Sequence, residues 1–231
     1  VLVGEEVLEV KKDESIFRVR ARSRVYSGLA VVLALGVSRK RLGVKGEVEF
    51  TGRGVSYCAV CDGPLFRGLK VAVVGSSEEA FKDAAFLSKL AEKVYVVTHG
   101  SKVSAPAELV SEALKSSNVE VLEEVVKEIV GDELVNGLIL EGGGRLSVSG
   151  VFIAMGFVPS SEIARKLGVE VDGRGCIKVD RKQRTSVPGV FAAGDCTCGG
   201  MQVATAVGEG AMAGLTATRY VKSLKRGFGE R

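Results

Sequence analysis

A strand, a glycine turn, a helix and a second strand follow one another in under thirty residues, and this succession limits the chain to few folds. Lys70 to Val74 (KVAVV) is an unbroken apolar run of strand length, and Gly75 opens the turn. Glu78 to Ala91 carries Ala80, Ala84, Leu87 and Ala91 at helical spacing, and Val94 to Val97 is the next strand. An apolar run without polar alternation suits a parallel strand, which is covered by other elements on both faces. Together these pieces form the crossover unit of nucleotide-binding α/β folds. Glycine usage agrees: 30 glycines against 4 prolines imply tight turns and close backbone approaches, because collagen-like and disordered chains are rich in proline too.

The rest of the chain reads as more of the same class. Val7 to Val10 and Ile16 to Val19 form a hairpin, and Leu29 to Leu35 (LAVVLAL) is a strand buried on both faces. Arg39 to Arg53 is polar and glycine-spaced, which reads as a linker and places a domain boundary near residue 40. Pro106 to Lys115 is a helix and Val119 to Leu122 a strand; Glu133 to Glu141 and Arg145 to Val148 form a hairpin around Gly142, Gly143 and Gly144. Val151 to Ala154 and Val190 to Ala192 are buried strands, and a long final helix runs from about Val203 to Leu224.

Charge and composition exclude several classes. The 32 basic and 28 acidic residues leave a scattered +4, so neither a nucleic-acid nor a membrane footprint is expected. The longest apolar stretch, Leu29 to Val37, is about half of the ~18 residues that span a bilayer. Val1 to Val10 has no basic flank followed by an apolar region, so no secretory signal is read. Five cysteines in a chain of 231 residues do not make the framework of a small secreted protein, and a reducing, cytoplasmic setting is expected. Two Gln and two Asn beside plentiful Lys, Arg and Glu resemble a heat-adapted composition.

Cys58-Ala59-Val60-Cys61 is the sharpest local signal. Two thiols three apart close a small reversible disulfide, most easily where a turn meets a helix start, and Asp62 beside them is placed to hold or give a proton. The same spacing is half of a zinc site, but Cys196 with Cys198, or His99 with Cys176, lack the usual second-half spacing, so the redox reading is preferred and no metal is expected. Gly194-Asp195 follows a buried strand, where a carboxylate can bond the sugar hydroxyls of a dinucleotide. Cys196-Thr197-Cys198 is expected to hold unpaired buried thiols, since one intervening residue strains a bridge.

Four segments, GRGVSYCAVCDG (Gly52 to Gly63), VAVVGSSEEA (Val71 to Ala80), VFIAMGFVPS (Val151 to Ser160) and TSVPGVFAAGDC (Thr185 to Cys196), resemble in order and spacing the low-molecular-weight thioredoxin reductases. The resemblance covers about Glu5 to Leu224. It implies two Rossmann-like α/β domains of three-layer ββα form: an FAD-binding domain of residues 1 to 39 and 151 to 231, and an inserted NAD(P)-binding-like domain of residues 40 to 150 that carries the CxxC. It further implies a homodimeric flavoenzyme that reduces thioredoxin or a glutaredoxin-like protein. Cys61, with Asp62, would face the flavin and Cys58 would attack the partner's disulfide. Ala34, Gly36, Gly194 and Asp195 would hold FAD, and Met201, Gln202, Val203 and Ala204 would present backbone to its ring.

Three departures from that pattern modify the expectation. After Gly75 the phosphate-binding turn reads Ser76-Ser77-Glu78-Glu79, which places two carboxylates where an anion should bind. The end of the next strand reads Thr98-His99-Gly100 in place of a His-Arg-Arg cluster for the 2′-phosphate, and His99 is read as a surface loop residue. NADPH use is therefore expected to be weak or replaced by another donor, such as the deazaflavin or ferredoxin used by some relatives. No G-x-G-x-x-G loop for the FAD pyrophosphate occurs, so the first domain is read as incomplete at its N-terminus, either shortened or completed by a separate polypeptide, with an open sheet edge. The alternative is a flavin-free redox-sensing or scaffold module derived from the family.

Overall fold

The computed structural model describes residues 1–229. Their contacts divide the chain into one unit of Val1–Ser38 with Phe157–Arg231 and a second unit of Arg39–Gly156. The first unit opens with β1 (Val7–Asp13), β2 (Ile16–Ala21) and β3 (Val25–Gly28), an antiparallel sheet in that order. Alternation along β2 buries Phe17 and Ala21 and leaves Arg18 and Arg20 outside, where they pair with Asp13 and Glu9 of β1. β4 (Val31–Leu33) and β5 (Val37–Arg39) follow. The expected long strand over 29–35 is shortened to three residues, and it is not buried on both faces. Leu33 is buried but Val32 is 42% exposed, because its side lines an open cleft.

The second unit holds β6 (Val55–Ser56), α1 (Ala59–Asp62), β7 (Lys70–Val74), α2 (Glu78–Leu87), β8 (Lys93–Val97), α3 (Ala107–Leu114) and β9 (Val119–Leu122). β10 (Val126–Gly131), β11 (Val135–Leu140), β12 (Arg145–Leu146) and β13 (Gly150–Ile153) complete it. A five-stranded sheet runs β6-β13-β7-β8-β9, and the pairs within β7, β8, β9, β13 and β6 are parallel. Its two faces explain the unbroken apolar strands. Val71, Val73, Val94, Val96 and Phe152 pack with Phe81, Ala84 and Leu87 of α2, while Ala72, Val74, Val97, Val151 and Ile153 pack with Ile129, Leu138 and Leu140 of the antiparallel sheet β10-β11-β12. Each such fully buried Val, Leu or Phe contributes about 1.5–3 kcal/mol.

One expected linker and one expected boundary change. Residues 39–53 are not a free linker: Phe50 is buried in the core beneath the antiparallel sheet, and Glu47, 1% exposed, accepts hydrogen bonds from the Leu42 and Gly43 amides and from Tyr57 Oη. The second unit also continues past residue 150 to Gly156, because β13 is hydrogen-bonded between β6 and β7.

The chain then returns to the first unit through β14 (Phe157–Pro159), which pairs with β5, α4 (Glu162–Lys166) and β15 (Val190–Ala192). β15 is parallel to β4, with Val190, Phe191 and Ala192 opposite Val31, Val32 and Leu33. The helix α5 (Val203–Gly229) ends the described chain and packs Ala213, Ala217 and Tyr220 against Phe191 and Ala193. A separate core joins Val10 and Phe17 to Leu33, Val169, Ile177, Val190 and Cys196.

Candidate functional site

The second unit places its chemistry at the start of α1. Cys58 is the N-cap of that helix, with extended φ and ψ, and its sulfur accepts the Cys61 N–H at 3.2 Å. Cys58 and Cys61 form a disulfide with Cα atoms 5.3 Å apart; Cys61 is exposed and Cys58 half-buried. Ser56, at the end of β6 and buried, holds the group together. Its hydroxyl donates to Asp62 Oδ2 at 2.6 Å and accepts the Cys58 N–H at 3.0 Å, so one side chain ties the carboxylate to the first cysteine. Cys58, Cys61 and Asp62 stand out in the sequence by their spacing, whereas Ser56 has no spacing signal of its own. The neighbouring Tyr57 hydroxyl is pushed up to about 12 by burial and by its bond to Glu47.

At the β7–α2 turn, Gly75 is required by closeness: a Cβ there would meet the Ala154 carbonyl oxygen at 2.3 Å. Glu78 and Glu79 occupy the first turn of α2, and each has a cation beside it, Lys82 for Glu78 and Arg39 for Glu79, the latter at 2.8 Å. Asp83, one turn further, is pushed up to about 7 by burial and by the charge of Glu79, with Arg39 opposing. His99 is not a free surface residue. Its Nδ1 accepts the Val126 N–H at 3.1 Å, which ties the ring to β10.

The first unit contains a cleft of about 370 Å³ lined by Ala34, Gly36, Gly194, Asp195, Met201, Gln202 and Val203, with Val32, Ala193, Ala206 and Gly210 completing it. Seven of the eight residues proposed from the sequence for the flavin therefore surround one cavity; Ala204 does not line it. Gly194, at φ +78, turns the chain from β15 into the short 3-10 turn Asp195–Thr197. Glu209 of α5 steadies this turn, accepting the Gly194 N–H at 2.7 Å and the Thr197 hydroxyl at 3.0 Å. The lone acid in a run of small residues was its only trace in the sequence.

Cys198 is not an unpaired thiol. It forms a disulfide with Cys176, Cα atoms 5.7 Å apart, while Cys196 alone of the described cysteines stays free and buried. The Cys196 carbonyl accepts the Ile177 N–H, and this link brings position 176 beside position 198. Burial pushes the Cys196 thiol up. No cluster of three or more His, Cys, Asp or Glu side chains placed to hold a metal occurs among the described residues.

An α/β chain with a CxxC at a helix start and a strand-end cleft of this lining is of the disulfide oxidoreductase type. A family model described as pyridine nucleotide-disulphide oxidoreductase matches residues 1–210. The thioredoxin reductase of Listeria monocytogenes is 38% identical over 228 residues, which is 95% of this chain and 71% of that protein. That of Aquifex aeolicus is 39% identical over 210 residues, covering 88% of this chain and 65% of its own length. Among solved structures, thioredoxin reductase from Streptococcus pyogenes has a TM-score of 0.89 at 35% identity, covering 95% of this chain and 74% of that one. The chain belongs to the pyridine nucleotide-disulphide oxidoreductases and, within them, to the thioredoxin reductase family.

Proposed function

We propose that this chain is a flavin-dependent protein disulfide reductase that passes two electrons through Cys58 and Cys61 to the disulfide of thioredoxin or a glutaredoxin-like protein, thioredoxin being the partner that the relatives favour. The carrying observation is the Cys58–Cys61 disulfide at the α1 start, with Asp62 held by Ser56. The unit of Val1–Ser38 and Phe157–Arg231 serves as the FAD domain and that of Arg39–Gly156 as the domain bearing the dithiol. The enzyme works as a homodimer.

The first-unit cleft suits FAD. Ala34, Gly36, Ala193, Gly194, Ala206 and Gly210 have side chains small enough for a flat ring system to approach backbone, and Asp195 offers a carboxylate to hydroxyl groups. FAD, when bound, supplies the two-electron reducing power that reopens the Cys58–Cys61 disulfide. The Cys58 thiolate then attacks one sulfur of the partner's disulfide. That S–S bond breaks, a mixed disulfide forms, and the departing partner thiolate takes a proton. Cys61 next attacks Cys58 Sγ, which releases the second partner sulfur as a thiol and closes the original disulfide. Asp62 stores and returns protons beside Cys61, and Ser56 keeps its carboxylate in place.

NADPH is a poor electron donor for this chain. Two carboxylates in the first turn of α2 oppose a pyrophosphate even with cations beside them, and the His99 ring, bound through Nδ1, is no substitute for an arginine fork. Purified protein is expected to show a flavin absorbance spectrum and, once chemically reduced, to reduce thioredoxin. A colourless protein that takes up no FAD at saturation, or a Cys58→Ser variant that still reduces thioredoxin, would overturn this function. Fast reduction of the flavin by NADPH would overturn the donor assignment alone.

A further inference from the structure

The wall of the first-unit cleft is a winding loop, and its attachment is uneven. After Ala193 the chain passes Gly194, the turn Asp195–Thr197, Cys198 at φ +60 and Met201 at φ +52 before α5 begins. Glu209 and the Ile177–Cys196 hydrogen bond secure the part from Gly194 to Thr197. The Cys198 end, which joins the Asp195 side of the cleft to the Met201 side, is tied by the disulfide to Cys176. Cys176 is a firm anchor: it is 3% exposed, its N–H bonds Asp172 Oδ1, its carbonyl accepts the Asp172 N–H, and Ile177 beside it lies in the core.

We propose that Cys176–Cys198 is a second redox site of this protein: closed, it clamps the wall of the cofactor cleft, and opened by a dithiol it frees the chain from Cys198 to Met201 and weakens the hold on FAD. The effect on FAD rests on the reading of the cleft given above; the clamp does not. Cys198 is partly exposed and Cys176 buried, so an incoming dithiol attacks Cys198 Sγ. The Cys176–Cys198 bond breaks, Cys176 leaves as a thiolate and takes a proton, and Cys198 carries the mixed disulfide. The second thiol of the reductant displaces Cys198, so the dithiol is oxidised to a disulfide and the protein gains two electrons and two protons. Cys196, buried and held high, remains a thiol and does not compete for the exchange. Coupling is reciprocal, so bound FAD protects the disulfide to the same degree that the disulfide retains FAD.

The test uses a Cys58→Ser/Cys61→Ser background, in which dithiothreitol can open only Cys176–Cys198, beside a Cys176→Ser/Cys198→Ser variant. Alkylation and mass analysis count thiols, hydrogen exchange reports residues 195–202, and flavin fluorescence reports FAD dissociation. Opening the bond by either route is expected to speed exchange across 198–202 more than across 195–197 and to raise the FAD dissociation constant about tenfold, an ordinary strength for coupling between sites. Free thiols at both positions in air-oxidised protein would overturn the proposal, as would unchanged exchange with the bond open. Faster exchange with no FAD uptake under any condition would keep the clamp and overturn the cofactor reading instead. Faster exchange with an unchanged FAD constant would overturn the coupling.

Discussion

The two disulfides of this chain are the same bond in opposite settings. Cys58–Cys61 spans three positions at the start of a four-residue helix, with Cys58 half-buried, Cys61 exposed, and a carboxylate and a hydroxyl beside them. Cys176–Cys198 spans 22 positions, joins a buried core segment to a loop, and has no helix start of its own. Closing a loop of three residues constrains the chain little, so the first bond can open and close while its unit stays folded. Closing 22 residues constrains the unfolded chain strongly. Exposure and neighbours, rather than the cysteines themselves, separate an electron-carrying disulfide from a clamping one.

Substitutions at the two pairs should therefore separate turnover from stability. Cys58→Ser is expected to abolish thioredoxin reduction while leaving flavin content and the unfolding midpoint unchanged, as read by steady-state assay, absorbance and denaturant titration. Cys176→Ser/Cys198→Ser should do the reverse, lowering stability by about 3 kcal/mol while chemically reduced enzyme retains turnover at saturating FAD. Loss of stability at Cys58 equal to that at Cys176 would break the contrast. Asp62→Asn should slow thioredoxin reduction about 100-fold without changing FAD affinity, because it removes proton transfer alone. Ser56→Ala should cost about tenfold, with recovery in Ser56→Thr, since Thr keeps the hydroxyl that bonds Asp62.

How much of this was readable in sequence follows the range of the forces involved. The β7–α2–β8 unit was legible because its apolar periodicity is local, and the CxxC because its spacing is three. β10 was missed: within VKEIVG the charged Lys127 and Glu128 interrupt the apolar pattern, and burial of Val126 and Ile129 depends on the sheet it packs against. The Cys176–Cys198 pairing was misread because it depends on a bridge from Ile177 to Cys196 that only the folded backbone makes. The residue 150 boundary failed for a similar reason. Val151 to Ile153 looks like any buried strand, and which sheet receives it is a question of topology. Gly194 and Asp195 were marked by their place after a buried strand and the other five cleft residues by resemblance, whereas Ser56 and Glu209 act through hydrogen bonds that leave no periodic trace.

The proposed function requires that Cys58, and not Cys198, meet the protein substrate. It is tested most directly by incubating reduced Cys61→Ser protein with oxidised thioredoxin and mapping the trapped mixed disulfide by mass spectrometry. A covalent adduct at Cys58 is expected, because the resolving thiol is gone. An adduct at Cys198, or no adduct while Cys58 is a free thiol, would contradict it.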